Sequence, residues 1–320
     1  MNDNNFVKLG DVAHECRLTW SGEQTNIPIV GLEHLIPGEI ELSSWDSNIE
    51  HTFSKKFTKG QVLLGRRRVY LKKAVVAPCD GICSGDITVI ESTGGILPEL
   101  LPFVIQNDRF FDYAMQGSAG SLSPRVKWEH LKNYEFSLPP LAEQKVLADK
   151  LWAAYRLKES YKKLLTATEE MVKSQFIEMF GDPLKNPKNY TQRKLGDVAT
   201  LLNGRAYKAS ELLSSGRYLV LRVGNFFTNT DYYYSDLELE PDKYCDTGDI
   251  LYSWSATLGA QIWKGGKVIY HYHIWKVLFD ENILNKEYFC FMLNVMTDSL
   301  KQETHGSTMV HLTKDGMEKK

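Results

Sequence analysis

The sequence predicts an α+β protein in which two similar domains are joined by one long helix. Three observations lead to this prediction: a repeat with a constant offset, a long amphipathic stretch between its two copies, and a mixture of strand-like and helix-like segments within each copy. The chain has 320 residues, enough for about two domains. Its 43% apolar and 24% charged residues are typical of a globular protein and exclude disordered, collagen-like and membrane-spanning classes.

The repeat is clearest in the hexapeptide Lys-Leu-Gly-Asp-Val-Ala, which begins at Lys8 and again at Lys194, an offset of 194 − 8 = 186. Gly-Ser pairs at 120–121 and 306–307 have the same offset. Fainter matches lie between them in the same order. These matches predict a duplicated domain of about 135 residues. The alternative is two unrelated domains that share a hexapeptide by chance.

Residues 138–183 differ in character and are predicted to form one long amphipathic helix. The segment opens with Leu-Pro-Pro-Leu-Ala-Glu-Gln and closes with Phe-Gly-Asp-Pro, which are helix start and stop signals. It corresponds to about 60 Å of helix. Its apolar side chains recur about every 3.5 residues, which predicts a partner helix, whereas a helix buried in one domain would be shorter. The residues expected to contact a partner are Leu147, Leu151, Leu157, Tyr161, Leu165, Val172 and Phe176.

Each copy contains both kinds of secondary-structure signal. Residues 62–77 and 267–279 are rich in Val, Ile, Tyr and Trp and are predicted to be strands. Residues 99–113 and 286–303 are predicted to be shorter amphipathic helices. The predicted organisation is therefore a first domain at 1–137, a spacer helix at 138–183 and a second domain at 184–320.

The sequence lacks the motifs of covalent chemistry. It has no Asn-Pro-Pro-Tyr or Asp-Pro-Pro-Tyr methyltransferase loop, no phosphate-binding Gly-rich loop and no nucleophile in a triad context. Cys79 with Cys83, and His271 with His273, lack a second ligand pair at a zinc-binding spacing. We therefore expect neither a catalytic nor a metal site. Five scattered cysteines and an N-terminus without signal-peptide features favour a cytoplasmic protein with reduced thiols and no membrane contact.

Nucleic-acid binding would have to come from local patches, because the net charge is only −2. Residues 55–73 contain eight basic and no acidic residues, and residues 250–279 also lack acidic ones. Polar loops at 116–121 and 304–308 occupy equivalent places in the two copies and favour close approach to DNA. Each feature alone also fits a solvated surface or a structural turn. The candidate DNA contacts are Arg66, Arg67, Arg68, Lys72, Lys73, Ser118, Ser121, Lys264, Lys267, His271, His273, Ser307 and Thr308.

Together, the repeat and the long helix that begins with Leu-Pro-Pro-Leu-Ala-Glu-Gln and ends in Phe-Gly-Asp-Pro resemble the specificity subunit of Type I restriction-modification systems. Residues 60–90, and residues 248–253 with Gly259 and the Leu-Arg-Val-Gly-Asn of 221–225, are similar to patterns in target-recognition domains of that family. The resemblance covers essentially the whole chain. The DNA contacts expected with it also include Arg205, Lys208, Arg222 and Asn225.

The resemblance implies a non-catalytic subunit of a DNA methyltransferase and endonuclease complex. Each domain would recognise one half of a split target in double-stranded DNA, while the helix would set the spacing and dock methyltransferase subunits. The chain would bind no cofactor directly: S-adenosylmethionine, ATP and Mg would belong to methyltransferase and restriction subunits. A scaffold that oligomerises through its helix and binds proteins through its repeats is the alternative.

The resemblance also implies a second long helix after the second domain. It would begin near residue 324, since 138 + 186 = 324, whereas the sequence ends at Lys320. We therefore expect a truncated form whose central helix pairs with a second copy or with a methyltransferase subunit.

Overall fold

The computed structural model describes residues 6–22, 25–120, 122–183, 185–303 and 312–320, with the side chains of 301–303 left out. The chain divides into two compact units, Met1–Ala167 and Thr168–Lys320. The division falls within the longest helix. The finer domain boundaries expected from the sequence stay a prediction.

The first unit is built on a four-stranded antiparallel sheet in the order β2-β8-β5-β6 and a three-stranded sheet in the order β3-β7-β4. Strand β1 pairs with β9. Its strands are β1 (Phe6–Lys8), β2 (Ala13–Cys16), β3 (Ile29–Val30), β4 (Lys55–Phe57), β5 (Val62–Gly65), β6 (Ala74–Val76), β7 (Gly81–Cys83), β8 (Ile87–Ser92) and β9 (Glu135–Ser137). Its short helices are α1 (Leu9–Val12), α2 (Leu101–Ile105), α3 (Asp108–Gln116) and α4 (Trp128–Leu131).

Both faces of the four-stranded sheet are covered, because alternate residues of its strands enter two different cores. Val62 and Leu64 pack with the helices in one apolar cluster. Leu63, Val75 and Val89 point the other way and pack with the second sheet. This is why β5 is an uninterrupted buried run rather than an alternating one.

The second unit repeats this plan with sheets in the orders β10-β17-β14-β15 and β12-β11-β16-β13. The helix that spans the two units is α5 (Leu141–Phe180). The remaining helices are α6 (Leu195–Val198), α7 (Val223–Thr228), α8 (Lys286–Glu303) and α9 (Lys314–Glu318). The strands are β10 (Ala199–Asn203), β11 (Tyr218–Leu221), β12 (Tyr233–Ser235), β13 (Tyr244–Cys245), β14 (Ile250–Ser253), β15 (Gly259–Ile262), β16 (Val268–Tyr270) and β17 (Ile274–Phe279).

Matching hydrogen bonds confirm that the two units are copies of one fold. The amide of Leu9 donates to the carbonyl of Tyr134, and that of Leu195 donates to the carbonyl of Lys320, both at 2.8 Å. Both ends of these bonds are related by the offset of 186. The parallel pair β3–β7 of the first unit has its counterpart in the parallel pair β11–β16 of the second. The predicted α+β fold with two similar domains and a long helix is thus confirmed.

Helix α5 begins and ends where its sequence signals predict. The amide of Glu143 donates to the carbonyl of Pro140 at 2.9 Å, so the two prolines precede the first turn, where a missing amide proton costs nothing. At the other end Gly181 has φ of +84°, and its amide donates to Ile177 at 2.8 Å. A left-handed residue at this place is a common helix stop.

Three predicted segments are divided more finely than the sequence pattern suggests. Residues 267–279 form two strands, β16 and β17. Residues 62–77 form β5 and β6 with a short 3₁₀ helix, Val69–Leu71, between them. Residues 99–113 form α2 and α3, because the side chain of Asn107 caps the second helix by accepting from the amide of Arg109 at 2.9 Å. The helix predicted at 286–303 is present as α8.

Candidate nucleic-acid interface

Three loop segments of the first unit lie side by side, and we call them the first loop cluster. Backbone hydrogen bonds hold them together: the amide of Arg66 donates to Asp86 at 2.9 Å, that of Arg68 donates to Pro124 at 2.8 Å, and that of Val126 donates to Arg66 at 3.0 Å. The first loop cluster consists of residues 66–68 after β5, residues 84–86 between β7 and β8, and residues 119–126 apart from 121. The arginine triplet that the sequence singled out therefore lies beside residues 124–126, and Ala119 of the polar loop is bonded to Arg125 of the same segment.

One carboxylate holds two of the arginines in the first loop cluster. Arg125 Nε donates to Asp86 Oδ1 at 2.7 Å, and Arg67 Nη1 lies 3.6 Å from Asp86 Oδ2. Arg67 Nη2 also donates to Ser123 Oγ at 3.0 Å. The hydrogen bond from Arg125, with the nearby charge of Arg67, holds the pKa of Asp86 below its ordinary value. Four arginines against one aspartate leave the cluster strongly positive, which suits a phosphate-rich partner.

Arg68, Arg66 and Ser118 have hydrogen-bonding capacity that the described residues do not use. The side chain of Arg68 is exposed on a backbone with φ of +53°, and no described residue forms an ion pair with it. Arg66 Nε and Ser118 Oγ are buried without a hydrogen-bond partner in the described part of the chain. Such groups are costly to leave unpaired unless a ligand or water satisfies them.

The equivalent segments of the second unit form what we call the second loop cluster, defined as residues 254–256, residues 271–273 and Leu312. The amide of Trp254 donates to His273 at 3.1 Å, and that of Leu312 donates to Trp254 at 3.2 Å. These bonds repeat the bonds from Arg66 to Asp86 and from Val126 to Arg66. Ala256 has φ of +61°, which matches the left-handed conformation of Arg68. The two loop clusters therefore share backbone hydrogen bonds and a left-handed residue, although their side chains differ.

Aromatic rings dominate the second loop cluster. The ring centroid of Trp254 lies 4.9 Å from that of His273 and 5.8 Å from that of Tyr272. The centroid of His271 lies 4.8 Å from that of His273. The side chain of His271 is also buried enough that its pKa falls to about 4, with the charges of His273 and Arg222 lowering it further. Its ring is therefore neutral at pH 7, with one nitrogen that donates and one that accepts.

Two arginines lie beside the second loop cluster. The backbone of Arg205 is bridged to that of His271, and its guanidinium makes two bonds to Glu211, at 3.0 and 2.8 Å. The hydrogen bond from Arg205 is the main reason that the pKa of Glu211 falls to about 2. The guanidinium of Arg222 lies over the ring of Tyr233, 5.3 Å from its centroid. Arg205, Arg222, His271 and His273, which are far apart in the sequence, are thus brought near one another.

Other predicted DNA contacts have partners within their own unit. Lys72 Nζ lies 2.5 Å from Asp108 Oδ1, and Lys73 Nζ donates to the Leu32 carbonyl at 2.6 Å. Asn225 is 4% exposed. Its side chain accepts from the Arg222 amide at 2.7 Å and donates to the Val220 carbonyl at 3.2 Å, so it serves as a buried helix cap.

The exposed side chains of Lys208, Lys264 and Lys267 lie on loops outside the second loop cluster. Ser121, Ser307 and Thr308 lie outside the described residues.

Three residues of the two clusters escaped the sequence analysis. Arg125 and Asp86 were not singled out because they lie in separate loops and their ion pair exists only in the folded chain. Trp254 occupies the position of Arg66, but here the offset is 254 − 66 = 188 instead of 186, so a fixed-frame comparison does not align them. The signal that would have found Trp254 is its place directly after a buried strand, as Arg66 follows β5.

Most of the apolar stripe of α5 is exposed, and two of its residues are covered. Leu157, Tyr161 and Leu165 are 57%, 63% and 62% exposed. Leu147 and Val172 are also exposed. Leu151 instead packs against the core of the first unit. The ring of Phe176 is covered in the second unit, where its centroid lies 4.3 Å from that of Phe291. These two residues are therefore already covered by the chain itself.

The helices of the described part of the chain include none that is long and apolar enough to cross a membrane.

The chain is similar in sequence to two known descriptions of Type I specificity proteins. The family model of the Type I restriction modification DNA specificity domain matches residues 187–320, which include the second loop cluster. The Type I restriction enzyme EcoDI specificity subunit of Escherichia coli is 30% identical over 119 residues, which cover 35% of this chain and only 26% of that subunit.

Two solved structures are similar to this chain. The S subunit of a Type-I restriction-modification system from M. genitalium superposes with a TM-score of 0.54 at 10% identity, covering 100% of this chain and 84% of that chain. The HsdS subunit from Thermoanaerobacter tengcongensis gives a TM-score of 0.41 at 18% identity, covering 99% and 83%. The first of these likenesses supports the fold. The match to the family model covers less than half of the chain, and it shows that residues 187–320 are similar to the Type I restriction modification DNA specificity domain.

Proposed function

We propose that this chain is a sequence-specific DNA-binding subunit in which each unit recognises one half of a bipartite target. The observation that carries the proposal is that the same loops are held by the same backbone hydrogen bonds in both units, while their side chains differ in chemistry. A structural turn has no need of an arginine without an ion pair in one copy and of aromatic rings in edge-to-face contact in the other. Recognition of two different half-sites does need different side chains at equivalent places.

The chemistry of each cluster suits base edges and phosphates. Arginine can bond bidentately to the O6 and N7 atoms of guanine, and Arg68 has an exposed guanidinium without an ion pair to any described residue. A neutral imidazole such as that of His271 can both donate and accept. We propose no catalytic step for the chain itself, in keeping with the specificity domain and the specificity subunit that it resembles.

Helix α5 would set the spacing between the half-sites and dock methyltransferase subunits. The exposed stripe formed by Leu157, Tyr161 and Leu165 supports docking, because contiguous exposed apolar side chains on a helix favour a partner helix. Self-association of two copies is the competing use of the same stripe. S-adenosylmethionine would be supplied by the methyltransferase, and ATP and Mg would be used by restriction subunits.

Mapping methylated sites tests the two-unit proposal. The chain is co-expressed with its methyltransferase subunit, and the modified positions are located by single-molecule sequencing. We expect a bipartite motif. Arg68→Ala should relax or abolish recognition in one half only, and should weaken binding to the target duplex by about 1–3 kcal/mol, roughly 5- to 150-fold in Kd.

Lys59→Ala is the matched control. Lys59 is an exposed cation that precedes β5, whereas Arg68 lies beyond the other end of that strand. The control should leave the motif unchanged. A continuous motif, or an unchanged motif in the Arg68→Ala variant, would contradict the proposal.

Salt separates this function from the scaffold alternative. DNA affinity should fall steeply as salt rises, because each neutralised phosphate releases counterions. An apolar protein–protein contact should not weaken in this way. Binding to DNA that is insensitive to salt and to sequence would favour the scaffold.

A further inference from the structure

A mixed group of potential metal ligands lies on the first unit, away from the two loop clusters. His14 and Cys16 are alternate residues of β2 and therefore share one face of the sheet. Glu91 lies on the neighbouring strand β8, directly opposite His14 in the register. One ligand atom from each of the three residues lies within 4.8 Å of the others. The group combines a thiol, an imidazole and a carboxylate, a combination typical of zinc rather than of magnesium or calcium.

The two separations that involve Cys16 are close to those around a tetrahedral ion, and the ligand atoms of His14 and Glu91 lie within 4.8 Å of each other. Cys16 Sγ lies 3.7 Å from His14 Nε2 and 3.2 Å from Glu91 Oε2. A zinc ion with a sulfur ligand at about 2.3 Å and a nitrogen or oxygen ligand at about 2.0 Å holds the two atoms about 3.5 Å apart at the tetrahedral angle. We propose that His14, Cys16 and Glu91 bind one Zn²⁺ ion, with solvent as the fourth ligand.

Gln61 supports this assignment from behind the ligands. Its side chain is 5% exposed, and its Nε2 donates to Cys16 Sγ at 3.3 Å and to Glu91 Oε2 at 3.0 Å. The orientation of the amide is set by the Thr58 amide, which donates to Gln61 Oε1 at 2.8 Å. A buried donor aimed at both anionic ligands is the arrangement that orients ligands around a metal. The exposed side chains of His14 and Glu91 leave the fourth position open to solvent.

The second unit shows that the fold does not require these residues. In the pairing of β10 with β17, Thr200 faces Leu278 where His14 faces Glu91. Leu202 lies in the place of Cys16. A strand pair of the same geometry therefore forms without a thiol, an imidazole or a carboxylate.

Metal binding would stabilise the pairing of an edge strand with its sheet. Strand β2 is the outermost strand of its sheet, and the ion would join it to β8. Binding to the folded state alone stabilises that state by mass action. With no cation bound, burial and the hydrogen bond to Glu91 raise the pKa of Cys16 to about 12, so binding has to displace the thiol proton.

The test is direct metal binding by the full chain. The protein is stripped with a chelator, incubated with Zn²⁺ alone, desalted and measured by elemental mass spectrometry. We expect about one Zn²⁺ per chain in the parent protein, and loss of that ion in Cys16→Ser and in His14→Ala. Cys79→Ser is the matched control, because Cys79 is a partly exposed thiol of the same unit outside the group. It should retain the ion.

Titration with Co²⁺ gives a second readout. The parent protein and Cys79→Ser should develop the near-ultraviolet charge-transfer absorption of a cobalt–thiolate bond, and Cys16→Ser should not. Because His14 is exposed, His14→Ala should keep its fold, which circular dichroism checks. A parent protein that retains no Zn²⁺, or a His14→Ala variant that folds and retains as much Zn²⁺ as the parent, overturns the proposal. Neither result bears on DNA recognition.

Discussion

Replacing Gln144 by leucine should release the start of α5 from the first unit. Gln144 is 2% exposed, and its Oε1 accepts from the Leu97 amide at 2.8 Å. Its Nε2 donates to the carbonyls of Gly95 at 3.2 Å and Pro139 at 2.9 Å. Leucine fills a similar volume but makes none of these bonds. The amide of Leu97, a half-buried residue, then loses its partner, while the exposed Gly95 carbonyl can turn to water.

The loss in free energy depends on which of the three groups bonded to Gln144 can find a new partner. The amide of Leu97 without its partner and the carbonyl of Pro139 without one of its partners amount to about 2–4 kcal/mol. If opening of this contact limits exchange, the Leu97 amide should exchange with deuterium roughly 30- to 900-fold faster. Hydrogen exchange of the full chain, followed in peptides that cover residues 93–100, measures this rate. Lys150→Ala is the control, because Lys150 is an exposed residue of the same helix. Exchange at Leu97 within about threefold of the parent rate would refute the reasoning.

Three further predictions concern packing, titration and backbone conformation. Phe176→Ala should lower the free energy of unfolding of the second unit by about 3–5 kcal/mol. Ile177→Ala truncates the exposed side chain of the next residue and should lower that free energy much less. Hydrogen exchange of α8 measures both effects. The His271 ring should titrate near pH 4 by NMR; because its folded pKa lies below 6.5, protonation opposes folding, so stability should fall as pH drops from about 6.5 toward 4. Gly60→Ala should cost about 1–2 kcal/mol in thermal unfolding, since Gly60 has φ of +88°, whereas Gly85→Ala should be nearly neutral.

The features that the sequence predicts well are those in which neighbouring residues determine the outcome. The bounds of α5 follow from local signals, since proline is tolerated in a first turn and a left-handed glycine ends a helix. The repeat is visible because Leu9 and Leu195 anchor the same short helix in both units, and an identical role preserves an identical hexapeptide. Neither the bounds of α5 nor the repeat depends on which distant segments of the chain pack against these residues.

The availability of individual basic side chains depends on such distant segments. In sequence, Lys72 is as good a candidate as Arg68, but its ammonium group is paired with Asp108, which lies 36 residues further along the chain. The ligand group of His14, Cys16 and Glu91 was missed for the same reason. Its members lie on two strands, and only the pairing register brings the carboxylate opposite the imidazole.

The two loop clusters also suggest how one fold can serve different DNA sequences. The bonds that position the loops join backbone atoms, so they do not depend on which side chain each position has. Arg66 and Trp254 donate the same backbone hydrogen bond, and Asp86 and His273 accept it. β5 and β14, the strands that precede Arg66 and Trp254, are buried along their whole length. Under the proposed function, substitutions in the loops would change the chemistry presented to DNA while the sheets and the bonds that place the loops stay the same, as recognition of two unrelated half-sites by duplicated units requires.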